Sequence, residues 1–252
     1  LLHSTAMKKE RLDTLVQRQA NVSRSKAQGL IHTGHVYLPD GTRAEKPGIR
    51  LDPDTALDIK EGARFVSRGG EKLEGALRDF GVDVSGVTAI DVGASTGGFT
   101  DCLLQHGATK VFAVDVGYGQ LAWELREDPR VTVLERTNIR KLKRESLDVP
   151  PDFFVADCSF ISLSLVLPPL ADLLQTDARG LVLIKPQFEA GKHQVGKGGV
   201  VRDEAVREMV VKRVLDEAAE MGYERVGVKP SVLKGPAGNQ EFFAYLRYNG
   251  HA

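Results

Sequence analysis

The sequence predicts an α/β protein in two parts, a small basic α+β module ahead of a larger domain built on a mostly parallel sheet. Three observations carry that prediction. From Val87 onward short apolar runs alternate with helical stretches, the pattern of strands joined by helices that cover both sheet faces. A glycine-rich turn follows the first of those strands, and an aspartate ends the second. Charge is also unevenly shared: between Met7 and Arg50 nine Lys/Arg stand against four Asp/Glu, although the whole chain of 252 residues is neutral. A basic appendage on a mildly acidic body points to a polyanionic partner, with a solvated lysine-rich surface as the alternative.

Composition narrows the function classes. With 42% hydrophobic and 27% charged residues there is material for a sizeable core. The longest unbroken aliphatic run, Leu181 to Ile184, is far short of the roughly 20 apolar residues a membrane-spanning helix needs. Leu1 to Ala6 carry neither a basic region nor a long apolar core, so they are read as a remnant ahead of a natural start at Met7, not as a signal peptide. Cys102 and Cys158 stand far apart, which predicts no disulfide framework, no zinc site and a reducing, cytoplasmic setting. His32 and His35 have no further ligand types beside them, so no metal is expected. Nothing in the sequence fixes the oligomeric state.

The elements follow in order. Leu12, Leu15 and Val16 have helical spacing within residues 10–20. Ser23 is a good N-cap for a second helix over Arg24 to Ile31, and Gly34 supplies its stop. Short alternating stretches follow at His35–Leu38 and Ala56–Ile59, with a Pro39-Asp40-Gly41 turn between them. The stretch RLDTLVQRQANVSRSKAQGLIHTGHVYL resembles the RNA-binding domain typified by ribosomal protein S4. The resemblance implies an RNA-gripping module over residues 7–62. Arg11, Arg24 and Lys26 fall at or near helix N-termini, where backbone N–H groups also favour phosphate; protein docking is the alternative. Arg-Leu-Asp at 11–13 also occurs in a catalytic motif of pseudouridine synthases, but inside the first helix it reads as fold.

A glycine- and arginine-rich tract breaks the periodicity, and a linker is placed at 63–70, including Arg64 and Arg68 as RNA contacts. The large domain is expected over 71–248. An apolar stripe of Leu73, Ala76, Leu77 and Phe80 predicts its first helix. Strands are predicted at Thr88–Val92, Val111–Asp115, Val131–Leu134, Phe153–Ala156, Leu181–Ile184, Arg225–Val228 and Glu241–Leu246. Helices are predicted at Phe99–Gln105, Gln120–Glu127, Leu163–Leu174 and Asp203–Met221. Ligands of such sheets bind at the carboxyl ends of the strands. There the first strand runs into Asp91-Val92-Gly93-Ala94-Ser95-Thr96-Gly97-Gly98-Phe99. Its glycine spacing fits neither a dinucleotide fingerprint nor a phosphate loop. Asp115 ends the next strand, placed to accept hydrogen bonds from ribose hydroxyls, so the pair predicts a nucleoside-containing cofactor.

The segments DVGASTGGFTDCLLQHGA and VFAVDVGYGQL, with ADCSFISL, LIKPQFEAGK and GNQEFFAYL after them, resemble the TlyA-type, FtsJ-like RNA methyltransferases, some of which carry a hemolysin label. The resemblance implies a Rossmann-like S-adenosylmethionine fold whose last strand is antiparallel, and ribose 2′-O-methylation of ribosomal RNA, with ribosomal RNA or ribosomal subunits as partner. It also implies a catalytic group at Lys72, Asp157, Lys185 and Glu241. The linker departs from the family's Arg-Ala-Trp-Val tract, reading Ala63-Arg64-Phe65-Val66. For the cofactor, Asp91, Gly93, Ser95, Gly97, Gly98 and Phe99 are expected around the methionine part, Asp115 at the ribose and Asn138 at the adenine. Cys158 and Phe160 are expected to pack, and the polar stretch Glu189–Gly199 to form a mobile lid or an RNA-contacting loop. A membrane-active hemolysin and a non-catalytic RNA-binding protein with a degenerate fold are the competing classes. A small-molecule methyltransferase is disfavoured by the basic module.

Overall fold

The computed structural model describes residues 9–32, 34–44, 46–60 and 64–250. Met7, the expected start, and Ala63, the first residue of the expected linker, lie outside the described residues. The chain forms two compact units, one ending at Arg64 and the other beginning at Phe65.

In the first unit, strand β1 (Glu10–Arg11) leads into helices α1 (Leu12–Ala20) and α2 (Arg24–His32), then β2 (Val36–Tyr37), β3 (Arg50–Leu51) and β4 (Asp58–Ile59). The Ser23 hydroxyl accepts from the Lys26 amide, as its N-cap chemistry predicts. Leu12 and Val16 of α1 pack on Ala27, Leu30 and Ile31 of α2 and on Val36. Two antiparallel ribbons, β1 with β3 and β2 with β4, close the unit. The β1–β3 ribbon is absent from the sequence expectation, because two-residue strands leave no periodicity to read.

The second unit opens with α3 (Arg68–Phe80). Its first turn occupies the expected linker, since Ser67 caps it by accepting from the Gly69 amide, and Phe65 is already buried. Then come β5 (Thr88–Val92), α4 (Gly98–Gln105), β6 (Lys110–Val114), α5 (Trp123–Arg126), β7 (Val131–Leu134), β8 (Phe153–Ala156), α6 (Leu167–Ala171), β9 (Arg179–Ile184), α7 (Pro186–Glu189), α8 (Glu204–Glu220), β10 (Tyr223–Pro230) and β11 (Phe242–Tyr248). The expected helix at Gln120–Glu127 shrinks to α5, as Ala122 is extended. The one expected at Leu163–Leu174 splits into a 3-10 turn at Leu163–Leu165 and α6; Pro168 and Pro169 have no N–H to continue the turn into a longer helix.

The seven strands lie in the order β10-β11-β9-β8-β5-β6-β7. All neighbours are parallel except β11, which is antiparallel to both β9 and β10. Alternate residues feed two cores. Ile90, Val92, Phe154 and Val182 face α6 and α8, while Ala89, Val111, Val155 and Leu183 face α3 and α4. The chain winds outward from β5 in both directions, through β6 to β7 and through β8 to β9. The crevice beyond the ends of β5 and β8 is therefore the switch point where such sheets bind ligands.

Candidate active site

The turn after β5 is built for close approach. Gly93 (φ 83°), Ser95 (φ 52°) and Gly97 (φ 99°) are left-handed, a conformation that glycine adopts without a Cβ penalty. A Cβ on Gly93 would stand 2.7 Å from the Asp157 carbonyl oxygen, so no larger residue fits between β5 and β8. Asp115, just beyond β6, holds the turn: its carboxylate accepts from the Ser95 and Gly117 amides at 2.7 Å each. Two such bonds leave acceptor capacity on both oxygens. Asp91 is fully buried on the α3/α4 side. Its Oδ2 accepts from the Thr100 hydroxyl at 2.7 Å and its Oδ1 has no partner. Burial pushes this carboxyl up to about 7, and the charges of Asp157 and Asp115 add to the rise against the Thr100 bonds.

Across the crevice, four ionisable side chains meet in two pairs. Lys72 Nζ of α3 donates to Glu241 Oε2 at 2.6 Å, and Gln187 Nε2 donates to Glu241 Oε1 at 3.0 Å. Lys185 Nζ, at the end of β9, lies 2.5 Å from Asp157 Oδ1 and donates to the Ser159 hydroxyl at 3.0 Å. That Asp157 contact is an ion pair by distance; its angles are not those of a hydrogen bond, and Oδ1 makes none elsewhere. Lys72, Lys185 and Glu241 are all buried. They are brought together by one sheet edge: Lys185 and Asp157 follow adjacent parallel strands, and Glu241 precedes the antiparallel strand on the other side of β9.

A cavity of about 780 Å³ joins the two halves, lined by Gly93–Thr96 and Gly98 on one wall and by Lys72, Asp157, Lys185 and Glu241 on the other. Arg68 and Lys234 add positive charge to its lining. Of the residues expected at the cofactor, Gly93, Ser95, Gly98 and Phe99 line this cavity. Asp115 reaches the turn through Ser95, Gly97 packs against Leu121 and Leu125, and Asp91 lies behind the wall. Asn138 stands apart: its side chain accepts from the Arg140 amide and caps the 3-10 turn at Ile139–Lys141.

Two residues depart from the sequence expectation, and a third carries none. Phe160 is 89% exposed. Its left-handed backbone (φ 62°) turns the ring outward, where it meets Phe188 at 4.8 Å between centroids. The expectation of a packing residue is thus corrected to an aromatic face at the cavity lining. Glu189, expected in a polar loop, is buried. Gln187 was not singled out, because a glutamine after Lys-Pro has no signal in one sequence. Cys158 does pack, its thiol against the Val92 carbonyl and pushed by burial up to about 12.

In the first unit, Arg11 clasps the buried Asp13 carboxylate with two bonds of 2.9 Å, and Arg24 and Gln28 reach the same Oδ2. The Arg11 guanidinium holds the Asp13 carboxyl well below the usual range. Lys26 is exposed. Arg64 ends the unit and Arg68 belongs to α3 of the other.

A sheet with one reversed strand, a glycine turn at its switch point and an acid closing the next strand define an S-adenosylmethionine-dependent methyltransferase. The profile of the FtsJ-like methyltransferases matches residues 65–248, and the chain belongs to that family. It is 51% identical over 235 residues to the 16S/23S rRNA (cytidine-2′-O)-methyltransferase TlyA of Mycobacterium tuberculosis, covering 92% of this chain and 87% of that one. It is 39% identical to Hemolysin A of Brachyspira hyodysenteriae, over 94% and 99% of the two chains. A solved Streptococcus thermophilus structure with a hemolysin label is 44% identical, with a TM-score of 0.73 over 97% of this chain and 90% of that one. Among the described residues no helix is long and apolar enough to cross a membrane.

The site fits the family's cofactor. The cavity size is in the range of nucleoside-sized ligands. Asp157 and Asp115 lie close enough to Asp91 to raise the cost of its charge, an anionic edge suited to a cationic sulfonium and ammonium. Asp115, with lone pairs to spare, would hold the ribose hydroxyls, and the Gly93–Gly98 backbone the methionine part.

Proposed function

We propose that this chain methylates a ribose 2′-hydroxyl of ribosomal RNA, with a cytidine as the acceptor nucleoside and ribosomal subunits as the natural substrate. The observation that carries the reading is the convergence of Lys72–Glu241 and Lys185–Asp157 on one cavity, opposite the glycine turn. The choice of RNA and nucleoside is supported by the identity to the M. tuberculosis enzyme named for that reaction.

A ribose hydroxyl is a weak acid and a poor nucleophile, so it must be oriented and relieved of its proton. S-adenosylmethionine, when bound, would supply the electrophilic methyl group, with its thioether as the leaving group. Lys185 is the group that receives the hydroxyl proton, and Asp157 stabilises the ammonium that results. Ser159 fixes the amine's direction. Lys72, held by Glu241, places a positive charge beside the oxygen and the adjoining phosphate. Glu241 is in turn fixed by Gln187, so both oxygens of this carboxylate are committed. The exposed ring of Phe160, backed by Phe188, offers a stacking face for a base taken out of its helix.

Residues 7–62, within the first unit, are read as an S4-type RNA-binding domain. Asp13 holds Arg11 and Arg24 side by side, and Lys26 is exposed two residues on from Arg24, so the three offer positive charge to a phosphate backbone. Arg64 and Arg68 carry further positive charge in the tract that follows in sequence, where Phe65 stands in the place of the family's tryptophan.

The test is methyl transfer from labelled S-adenosylmethionine to unmodified ribosomal subunits. Wild type is expected to label RNA, and Lys185→Ala to lose about 100-fold or more in rate while retaining cofactor affinity. Full transfer by Lys185→Ala would remove the lysine from the mechanism, and label absent from RNA would remove the substrate.

A further inference from the structure

The loops after β8 and β9 are joined by successive contacts that lead away from the reacting groups. Lys185 meets Asp157 and Ser159. Three residues farther along each loop, Phe160 stacks on Phe188. The last contact is Glu189. Its Oε1 accepts from the Leu163 amide and its Oε2 from the Ser162 hydroxyl, both at 2.8 Å. Glu189 is the most enclosed of these groups: its side chain is 2% exposed, against 10% for Lys185 and 23% for Asp157. Arg213 of α8 braces it from behind, donating to the Glu189 carbonyl at 2.5 Å with its guanidinium 3.7 Å from Oε2.

We propose that Glu189 is a positioning residue for methyl transfer: its carboxylate locks the register of the two loops so that Lys185 meets Asp157 and Ser159, and Phe160 meets Phe188. The physical case rests on what else could hold that register. The Phe160 ring lies in solvent and stacking alone allows it to slide. The Lys185 pair is a single flexible side chain on an acid whose Oδ1 makes no hydrogen bond. Glu189 instead grips a backbone amide and a side-chain hydroxyl from the interior, where such bonds are strong and leaving them unmade is costly. Its two bonds fall on Ser162 and Leu163, the N-cap and first residue of the 3-10 turn that ends the Asp157–Phe160 loop. A buried acid in this place has no role in shielding the core, since an apolar residue would do that without desolvating a charge.

This inference rests on the reading of Lys185 and Asp157 as reacting groups, so the experiment includes both. Four full-length proteins are compared, wild type, Glu189→Ala, Glu189→Gln and Lys185→Ala, for kcat and KM on ribosomal subunits, cofactor Kd and thermal midpoint. Glu189→Ala is expected to lower kcat by about 10- to 100-fold, the scale of a misplacement near an ångström, with cofactor Kd within about threefold because no atom of Glu189 touches the glycine turn. Glu189→Gln retains an acceptor for the Leu163 amide and is expected to recover most of kcat. A Glu189→Ala protein that melts lower but turns over at the wild-type rate when folded would reduce Glu189 to a structural residue and overturn the proposal. So would a Glu189→Gln as slow as Glu189→Ala with an unchanged melting midpoint, because the retained acceptor would then count for nothing. Full activity of Lys185→Ala would instead overturn the reading of the site itself.

Discussion

At the scale of single residues, Asp91 carries the largest conflict between stability and function. Its carboxyl is buried with one oxygen lacking a partner, and burial raises its pKa to about 7. In an unfolded chain an aspartate titrates near about 4. The folded protein therefore binds this proton more tightly than the unfolded one, and stability falls as pH rises from about 4 to about 7, then levels off. Asp91→Asn removes the titration. In the absence of cofactor it is expected to gain on the order of a few kcal/mol at pH 8 and little at pH 4, read from urea melts at both values. Equal pH dependence in the two proteins would show that Asp91 is not the source. Asp91 stands behind the cofactor wall as part of the proposed site, so cofactor affinity is expected to fall as stability rises, the trade expected of a strained site.

Among the elements, the decisive crossing is between α3 and α4, because α3 carries Lys72 and α4 follows the glycine turn. A Cβ on Gly98 would lie 2.1 Å from the Ser67 hydroxyl and 2.8 Å from the Gly70 amide nitrogen. The hydroxyl can move, but the backbone cannot without shifting the helix. Gly98→Ala is expected to cost about 1–3 kcal/mol, the usual scale of overpacking, and to lower kcat by moving Lys72 from Glu241; a variant with unchanged melting and turnover would refute the crossing argument. This crossing was legible only in part. The turn glycines stand out in sequence, but their partner Ser67 falls in what reads as a linker, and its capping role depends on a helix that starts before the apolar stripe does. Strands β5, β7 and β8 were legible residue for residue, because β8 is apolar throughout, β5 is apolar but for Thr88 and Asp91, and β7 is a largely β-branched run. Strands β1 and β3, two residues each and charged but for Leu51, carry no pattern. Lys72, Asp157, Lys185 and Glu241 were placed through the family resemblance, and the structure adds which lysine meets which acid. Glu189 lay beyond reach: in a Gly- and Lys-rich run a carboxylate reads as surface, and its burial depends on Ser162, 27 residues away.

Over the whole molecule, the neutral net charge conceals a division of labour in how charge is held. In the unit from Phe65 onward the key lysines are buried and each is matched by a carboxylate, so their charge acts locally and is little screened by salt. In the first unit the surplus is exposed, and Asp13 aims two arginines without neutralising both. Binding to RNA should then draw its salt dependence from the first unit and its chemistry from the second. Arg24 and Lys26 are the residues to change. Arg24 makes the longer contacts to Asp13, at 3.3 Å, and its loss leaves Arg11 and Gln28 in place, whereas losing Arg11 would remove both 2.9 Å bonds from its guanidinium to a buried acid. Each phosphate contact contributes about 0.7–0.9 to the slope of log affinity against log salt. Arg24→Ala with Lys26→Ala in the full chain is therefore expected to flatten that slope by about 1.5 for ribosomal RNA, with cofactor Kd and kcat at saturating RNA unchanged. An unaltered slope would place RNA binding outside this face of the first unit and leave its basic surplus as solvated surface.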